Sequence, residues 1–187
     1  MRRRTPWLLG AALVIAAGAV TAVTPSDEDV IGPIEMRGSF GDSVESRTLI
    51  AAATDATFAD EVVVPGADSD WNADGNWLVV TVIASAARTE VDAAINLATL
   101  AVGDRVFQAS ERPGASLRSQ SLRAGIDTVG MLAFELPPDV TSGQAELRLT
   151  SSYLTPELDD RIAIQLELHD FPRTSSVELD DPELSAP

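Results

Sequence analysis

The chain has 187 residues, a net charge of −16 and no cysteine. This length suits one domain with additional non-globular segments, and the lack of cysteine excludes disulfides, thiol catalysis and thiolate metal sites. From residue 24 onward, ten arginines stand against 29 acidic residues, and because such a surface repels phosphate backbones we expect no nucleic-acid partner.

The N-terminal segment, residues 1–23, predicts a membrane-targeting helix. Three arginines at positions 2–4 precede an uncharged run from Trp7 to Val23. As a helix this run spans about 25 Å, close to the thickness of a hydrocarbon core. The arginines place the N-terminus in the cytoplasm and the rest of the chain outside. The length of the run favours a retained anchor. A cleaved signal peptide stays open, because residues 20–22 are small, and it would give a secreted protein.

Two acidic, Pro- and Gly-rich segments flank the predicted domain. Residues 24–46 predict a flexible stalk, and residues 170–187 predict a disordered acidic tail. The folded domain is therefore expected at residues 47–169.

The region between these segments predicts an all-β domain with short strands. Residues 47–54 give a weak first strand, and the β-branched run 76–85 indicates a central one. Residues 98–109 predict a hairpin that turns at Gly103-Asp104. The later strands fall at 129–136, 145–150 and 161–168, and the last two alternate cleanly, with Leu147 and Ile164 on the buried side. Residues 89–98 suit either a helix or a loop. Strands at this spacing predict an Ig-like antiparallel β-sandwich.

The strand order also resembles a known family. The stretch from Gly125 to Pro137, with Gly130 and Phe134 at the family's glycine and phenylalanine positions, is similar to one found in uncharacterised Ig-like domains. These domains occur on lipoproteins and membrane-anchored proteins of Gram-positive bacteria, and are also described as telomeric-repeat-binding-factor-like. The resemblance covers about residues 38–169. It implies an extracytoplasmic β-sandwich and no catalytic residues. The chain departs from the family's lipoproteins because it has no lipid-attachment cysteine.

One local motif indicates metal binding. Asp70, Asn72, Asp74 and Gly75 match the first half of a calcium loop, in which alternate oxygen ligands surround one ion. The twelfth position is Thr81 instead of glutamate, so the second half of the pattern fails. A solvated acidic loop before a strand is the preferred interpretation, and we expect no bound metal or cofactor.

Catalytic motifs are scarce. The single histidine, His169, shares strand parity with Gln165 and is expected on the surface. No G-x-S-x-G or S-x-x-K motif accompanies it. Carboxylate pairs such as Asp159-Asp160 and Asp180-Asp181 suit turns or the tail better than a glycosidase cleft.

Two other residue groups have both structural and binding interpretations. Trp77 is expected in the core, while Trp71 suits either the core or a contact surface. Four arginines lie close together in the sequence and are either solvated side chains or a contact for an anionic polymer: Arg105, Arg112, Arg118 and Arg123.

These observations favour a membrane-anchored, extracytoplasmic interaction module without catalytic activity, whose partner is a protein at the outer membrane face or cell wall. The alternatives are a calcium-dependent adhesion or sensing domain and, less favoured, a carboxylate-based hydrolase. All basic residues are arginine, a composition typical of GC-rich genomes such as those of actinobacteria.

Overall fold

A computed structural model of the chain describes residues 7, 10–15, 18, 32–66, 70–89, 93–152 and 159–185. The chain divides into two units, Met1–Gly32 and Pro33–Pro187. In the first unit, the described residues 7, 10–15 and 18 are helical with exposed side chains. Among the described residues, no helix has both the length and the apolar character that crossing a bilayer requires. Most of the predicted anchor, Trp7 to Val23, lies outside the described residues.

The second unit is built from strands, and its described residues contain β1 (Ile34–Ser39), β2 (Val44–Glu45), β3 (Leu49–Val64), β4 (Trp71–Ala86), β5 (Leu97–Val102), β6 (Arg105–Gln108), β7 (Thr128–Leu136), β8 (Gln144–Thr150), β9 (Asp160–Glu167), a 3-10 turn (Leu168–Asp170), β10 (Arg173–Thr174), β11 (Val177–Glu178) and β12 (Glu183–Leu184). The predicted all-β class is confirmed.

These strands form two sheets. The first sheet has the order β1-β9-β8-β5-β6, and the second has the order β10-β3-β4-β7-β12, with β2 and β11 also pairing with β3. The central order β3-β4-β7 against β9-β8-β5-β6 matches the ABE and GFC arrangement of Ig-like sandwiches. The central pairs are antiparallel, whereas β1 on β9 and β10 and β11 on β3 are parallel.

Alternating side chains explain the main core between the sheets. Leu147, Leu149, Ile162 and Ile164 are fully buried there, on the side that the sequence pattern predicts. Phe134 from the second sheet packs into the same cluster. The hairpin β5–β6 turns at Gly103-Asp104 as predicted. Gly103 has a positive φ of 62°, which this short turn requires at its first central residue.

The predicted stalk is wrong for its second half. Residues 34–39 and 44–45 are strands of the domain, and Val44 is buried. The register pairs Ile34 with Asp160 and Ser39 with Gln165, so residues 34–39 form an edge strand of the first sheet. Residues 24–31 lie outside the described part of the chain.

The predicted disordered tail is also wrong for residues 170–185. We call residues 171–185 the C-terminal arm. The arm begins at the edge of β3, where Phe58 N donates to Pro172 O at 2.8 Å, and crosses to the other edge of the sheet, where Ser185 N donates to Asp127 O at 2.8 Å. Between these points Leu179 is buried in a second apolar cluster with Trp77 and Ala133 on the outer face of the second sheet. The arm therefore shields a face that would otherwise expose apolar surface to water.

The stretch 89–98 does not form a helix in its described residues. Ala93 and Ile95 are buried and make isolated bridges to Leu122 and Arg118, and β5 begins at Leu97. Residues 90–92 lie outside the described part of the chain.

Candidate functional site

The outer face of the first sheet carries a group of charged side chains that contact one another. Its members lie on the adjacent strands β1, β9 and β8, on the side opposite the core. We call this surface the charged face and define it as Glu35, Arg37, Glu146, Arg148, Arg161 and Gln165.

The charged face is held together by ion pairs within and between its strands and by one hydrogen bond between strands. Glu35 accepts hydrogen bonds from Arg161 on β9 and from Arg37, whose Nε lies 2.9 Å from its Oε2. Glu146 accepts from Arg148 Nε at 2.6 Å and from Gln165 Nε2 at 2.5 Å. The side chains of Glu35, Glu146 and Arg161 are only 19%, 15% and 16% exposed. These groups are therefore fixed before any partner arrives.

The ion pairs also set the protonation of Glu35. Burial raises the pKa of Glu35, but the hydrogen bonds and charges of Arg161 and Arg37 outweigh burial, and the net pKa is lowered. A carboxyl group of this kind stays ionised near neutral pH and is a poor proton donor. It suits recognition of a positive group better than general acid catalysis.

A second carboxyl group, that of Asp160 at the start of β9, is held in the same way. Burial raises the pKa of Asp160, but hydrogen bonds from the Ser46 side chain and the Arg47 main chain outweigh it, and the net pKa is lowered. The Arg47 guanidinium pairs with both Asp159 and Asp160. The carboxylate pair Asp159-Asp160 therefore joins the first sheet to the loop before β3.

Ala163 lies in the middle of the charged face and is fully buried although it points away from the core. It is directly opposite Arg37 on β1 and Arg148 on β8. Long arginine side chains cover small neighbours with their aliphatic stems. Cover by the two flanking arginine stems explains why a residue on the outer side of the sheet is buried.

The acidic motif does not form a calcium loop. Asn72 and Asp74 belong to β4 and pair with Val63 and Glu61 of β3. Asn72 Nδ2 donates to Glu61 Oε1 at 2.8 Å, and Asp70 Oδ1 accepts from Gly66 N at 3.2 Å. Because a strand turns alternate residues to one face instead of curling them around a point, these oxygens do not converge. Within the described part of the chain, no group of three or more His, Cys, Asp or Glu side chains is close enough to hold an ion.

The remaining candidate residues have structural surroundings. His169 is exposed and lies 3.2 Å from Asp170 Oδ1. Trp77 is fully buried and donates its indole N–H to Ala73 O at 3.0 Å. Trp71 is half-buried beneath the Arg112 guanidinium, 5.6 Å from its ring centroid. Trp77 is therefore a core residue, and Trp71 is a partly exposed residue on the surface.

The four clustered arginines do not form one patch of solvated charge. Arg118 is mostly buried, with NH1 3.4 Å from Ala109 O and NH2 3.2 Å from Asn96 O, and it pairs with Glu111 at 2.8 Å. Arg112 pairs with Glu135 and Arg105 with Asp139, while Arg123 is exposed. Arg118 therefore fixes the loop between β6 and β7. Its spacing from the other arginines in the sequence gives no sign of that role.

The described residues border shallow cavities. One of about 430 Å³ lies against the β6–β7 loop, is lined mainly by serine and glutamine side chains, and has Glu111 as its single carboxylate. Another of about 280 Å³, between the arm and β7, is lined by Asp180, Asp181 and Glu183, which are not close enough to hold a metal ion.

Comparison with known proteins gives structural neighbours only. No family model matches the chain, and no curated protein matches it. A candidate lipoprotein from Staphylococcus aureus subsp. aureus NCTC 8325 is 11% identical, with a TM-score of 0.44, over 75% of this chain and 97% of that chain. An uncharacterized β-sandwich protein from Clostridium difficile 630 is 9% identical, with a TM-score of 0.47, over 76% of this chain and 99% of that chain. The sandwich fold is established by the strand order and burial of the chain itself.

Proposed function

We propose that the chain is a non-catalytic binding module of the extracytoplasmic Ig-like family, held at the outer side of a membrane by its N-terminal segment. The observation that carries this proposal is the charged face, whose partly buried side chains, Glu35, Glu146 and Arg161, are held by ion pairs and hydrogen bonds within the face. Fixed side chains lose little conformational entropy when a partner binds, so the binding free energy is less reduced by ordering.

The charge pattern favours a protein as the partner. The charged face interleaves three arginines with two glutamates, a local net of +1, in a chain whose net charge is −16. An anionic cell-wall polymer would meet a glutamate at two opposite corners of the face, Glu35 on β1 and Glu146 on β8. A protein surface can place opposite charges against both signs, which gives specificity and orientation.

Photo-cross-linking in intact membranes tests this surface. A benzophenone amino acid at position 165, whose native Gln165 is exposed on the central strand of the face, should give a discrete protein adduct. Arg148→Glu should abolish the adduct because it reverses a charge of the face. Arg105→Glu is the matched control, because Arg105 lies outside the charged face and pairs with Asp139, with 3.0 Å between the two side chains. Persistence of the adduct in Arg148→Glu would contradict the proposal, as would an equal adduct from a probe at Glu178 on the arm.

Membrane attachment has its own test. If the segment from Trp7 to Val23 is a retained anchor, carbonate washing should leave the protein in the membrane fraction, and mass spectrometry should find that segment intact. A soluble product with a mature N-terminus near Val23 would instead establish a cleaved signal peptide.

A further inference from the structure

The strand β1 is an outer edge of the first sheet, and its main chain is hydrogen-bonded on one side. Ile34 N donates to Asp159 O at 2.9 Å and Phe40 N donates to Gln165 O at 3.2 Å, both toward β9. Because main-chain groups alternate in direction along a strand, those of Glu35 and Arg37 point to the opposite side. In the described ranges, no strand pairs with β1 on that side.

We infer that two copies of the chain pair through β1, antiparallel and centred on Met36. In this register Glu35 of each copy lies opposite Arg37 of the other. The outward main-chain groups of these residues then form roughly four hydrogen bonds between the copies. Opposite charges that face each other across strands stabilise the pair. The pattern Glu-Met-Arg is therefore complementary to itself when it is reversed.

The apolar side chains of β1 fit the same register. Ile34 lies opposite Gly38 of the second copy, and it is 61% exposed in the single chain. Beside Gly38 an open groove of about 460 Å³ is lined by Met36, Val44 and polar neighbours. Gly38 has no side chain, and the place that a Cβ would take is filled by the Cγ2 of Val44, which forms one wall of this groove. The groove therefore accepts the isoleucine of the second copy, which is removed from water by pairing.

Charged edge strands commonly prevent pairing, so the alternative is an edge protected by Glu35 and Arg37. Protection works when like charges meet. Here the two-fold arrangement brings unlike charges together. Arg37 pairs with Glu35 of its own chain, and because its side chain is 71% exposed it can share that pairing with Glu35 of the second copy. The short contact predicts a weak dimer, at the low end of specific interfaces. This pairing does not depend on which protein the charged face binds.

Cysteine cross-linking of the full-length chain in membranes tests the register, because the native chain has no cysteine. Met36 lies opposite itself in a non-hydrogen-bonded pair, where Cα atoms are about 4.5 Å apart and within disulfide range. We expect Met36→Cys to give a disulfide-linked dimer on mild oxidation. In the control Ile34→Cys, each cysteine lies four residues from its mate along the strand, about 14 Å away. This control should cross-link several-fold less, although Ile34 is more exposed than Met36.

Charge variants in the Met36→Cys background test the side-chain pairing. Arg37→Glu puts glutamate opposite Glu35 and should remove most of the dimer, whereas Arg37→Lys should keep it. Equal cross-linking of Ile34→Cys and Met36→Cys would overturn the proposal, and so would an unchanged dimer in Arg37→Glu. An adduct whose mass is not twice that of the uncross-linked chain from the same membranes would assign the edge to a strand of another protein and overturn the proposal.

Sedimentation of the cysteine-free protein tests the pairing without the cross-linking variants, which could fail because they misfold. In detergent, the sedimentation coefficient of the native full-length chain should rise with concentration into the high micromolar range. Arg37→Glu should stay constant over that range while keeping the native circular dichroism spectrum. Concentration-independent sedimentation of the native chain would overturn the pairing.

Discussion

The C-terminal arm gives the sharpest test of the fold, through the substitution Leu179→Ala. Leu179 is 1% exposed and packs in the cluster that contains Trp77, Val79 and Ala133. The change removes three carbons, and at ~0.8 kcal/mol for each buried methylene the lost transfer free energy is about 2.4 kcal/mol. An incompletely collapsed cavity adds to this, whereas a displaced arm limits it. We therefore expect a loss of about 2.5 kcal/mol.

This loss is measurable in two ways. At roughly 2–4 °C per kcal/mol for a domain of this size, the melting temperature should fall by about 5–10 °C. Hydrogen exchange should accelerate at the Leu179 amide, which donates to Val63 O at 2.7 Å, and at Ser185, at the far end of the arm. The matched control is Leu184→Ala, because Leu184 lies on the same arm but is 59% exposed, and its effect should stay within about 0.5 kcal/mol.

Two results would refute this reasoning. If Leu179→Ala and Leu184→Ala have equal effects, the arm is not anchored by the buried leucine. If the Leu179 amide of the native protein exchanges as fast as an unfolded peptide, the arm does not dock on the sheet at all.

Three further predictions concern the core, the pH dependence and calcium. Leu147→Asp should unfold the domain in a urea titration because it buries a charge. Gln165→Ala, at an exposed site of the adjacent strand, should change the free energy of unfolding by less than about 0.5 kcal/mol. If both variants are equally stable, the assignment of Leu147 to the buried side and Gln165 to the exposed side is wrong. Because the folded pKa of Glu35 lies below its ordinary value of 4.5, its stabilisation is present above pH 4.5 and is lost as pH falls through the folded pKa; denaturant titrations should show this loss in the native protein and less of it in Glu35→Gln. Millimolar calcium should raise the melting temperature no more than magnesium does, because Asp74 lies in a strand; a calcium-specific rise that Asp70→Ala and Asp74→Ala abolish would restore the calcium site.

The sequence predicted the strands that alternate without interruption. Residues 145–150 and 161–168 have one apolar face each, and the structure buries that face. The long strand β3 was predicted only in its first part, because register shifts at Ala53/Asp55 and Ala59/Glu61 break its alternation. A bulge moves the following side chains to the other face, so a period of two is lost in the sequence.

The segments outside the predicted domain were missed for a different reason. The arm contains one buried leucine and several acidic residues, a composition typical of disorder. Its order comes from edges offered by β3 and β7, which are distant in the sequence. The charged face was missed because Glu35 and Arg37 fell in the predicted stalk, although the alternation of residues 34–39 is visible once a partner strand is known.

The pairing of β1 with β9 also determines when, during synthesis of the chain, the first sheet can be completed. Glu35 and its partner Arg161 are separated by 126 residues. At about 5–20 residues per second a ribosome needs roughly 6–25 s to synthesise that interval. During this time the first strand has no neighbour in its own sheet. Contacts over such separations form late and slowly, so β1 gains its neighbour β9 only when synthesis is almost complete, and until then this segment can still be threaded through a narrow pore.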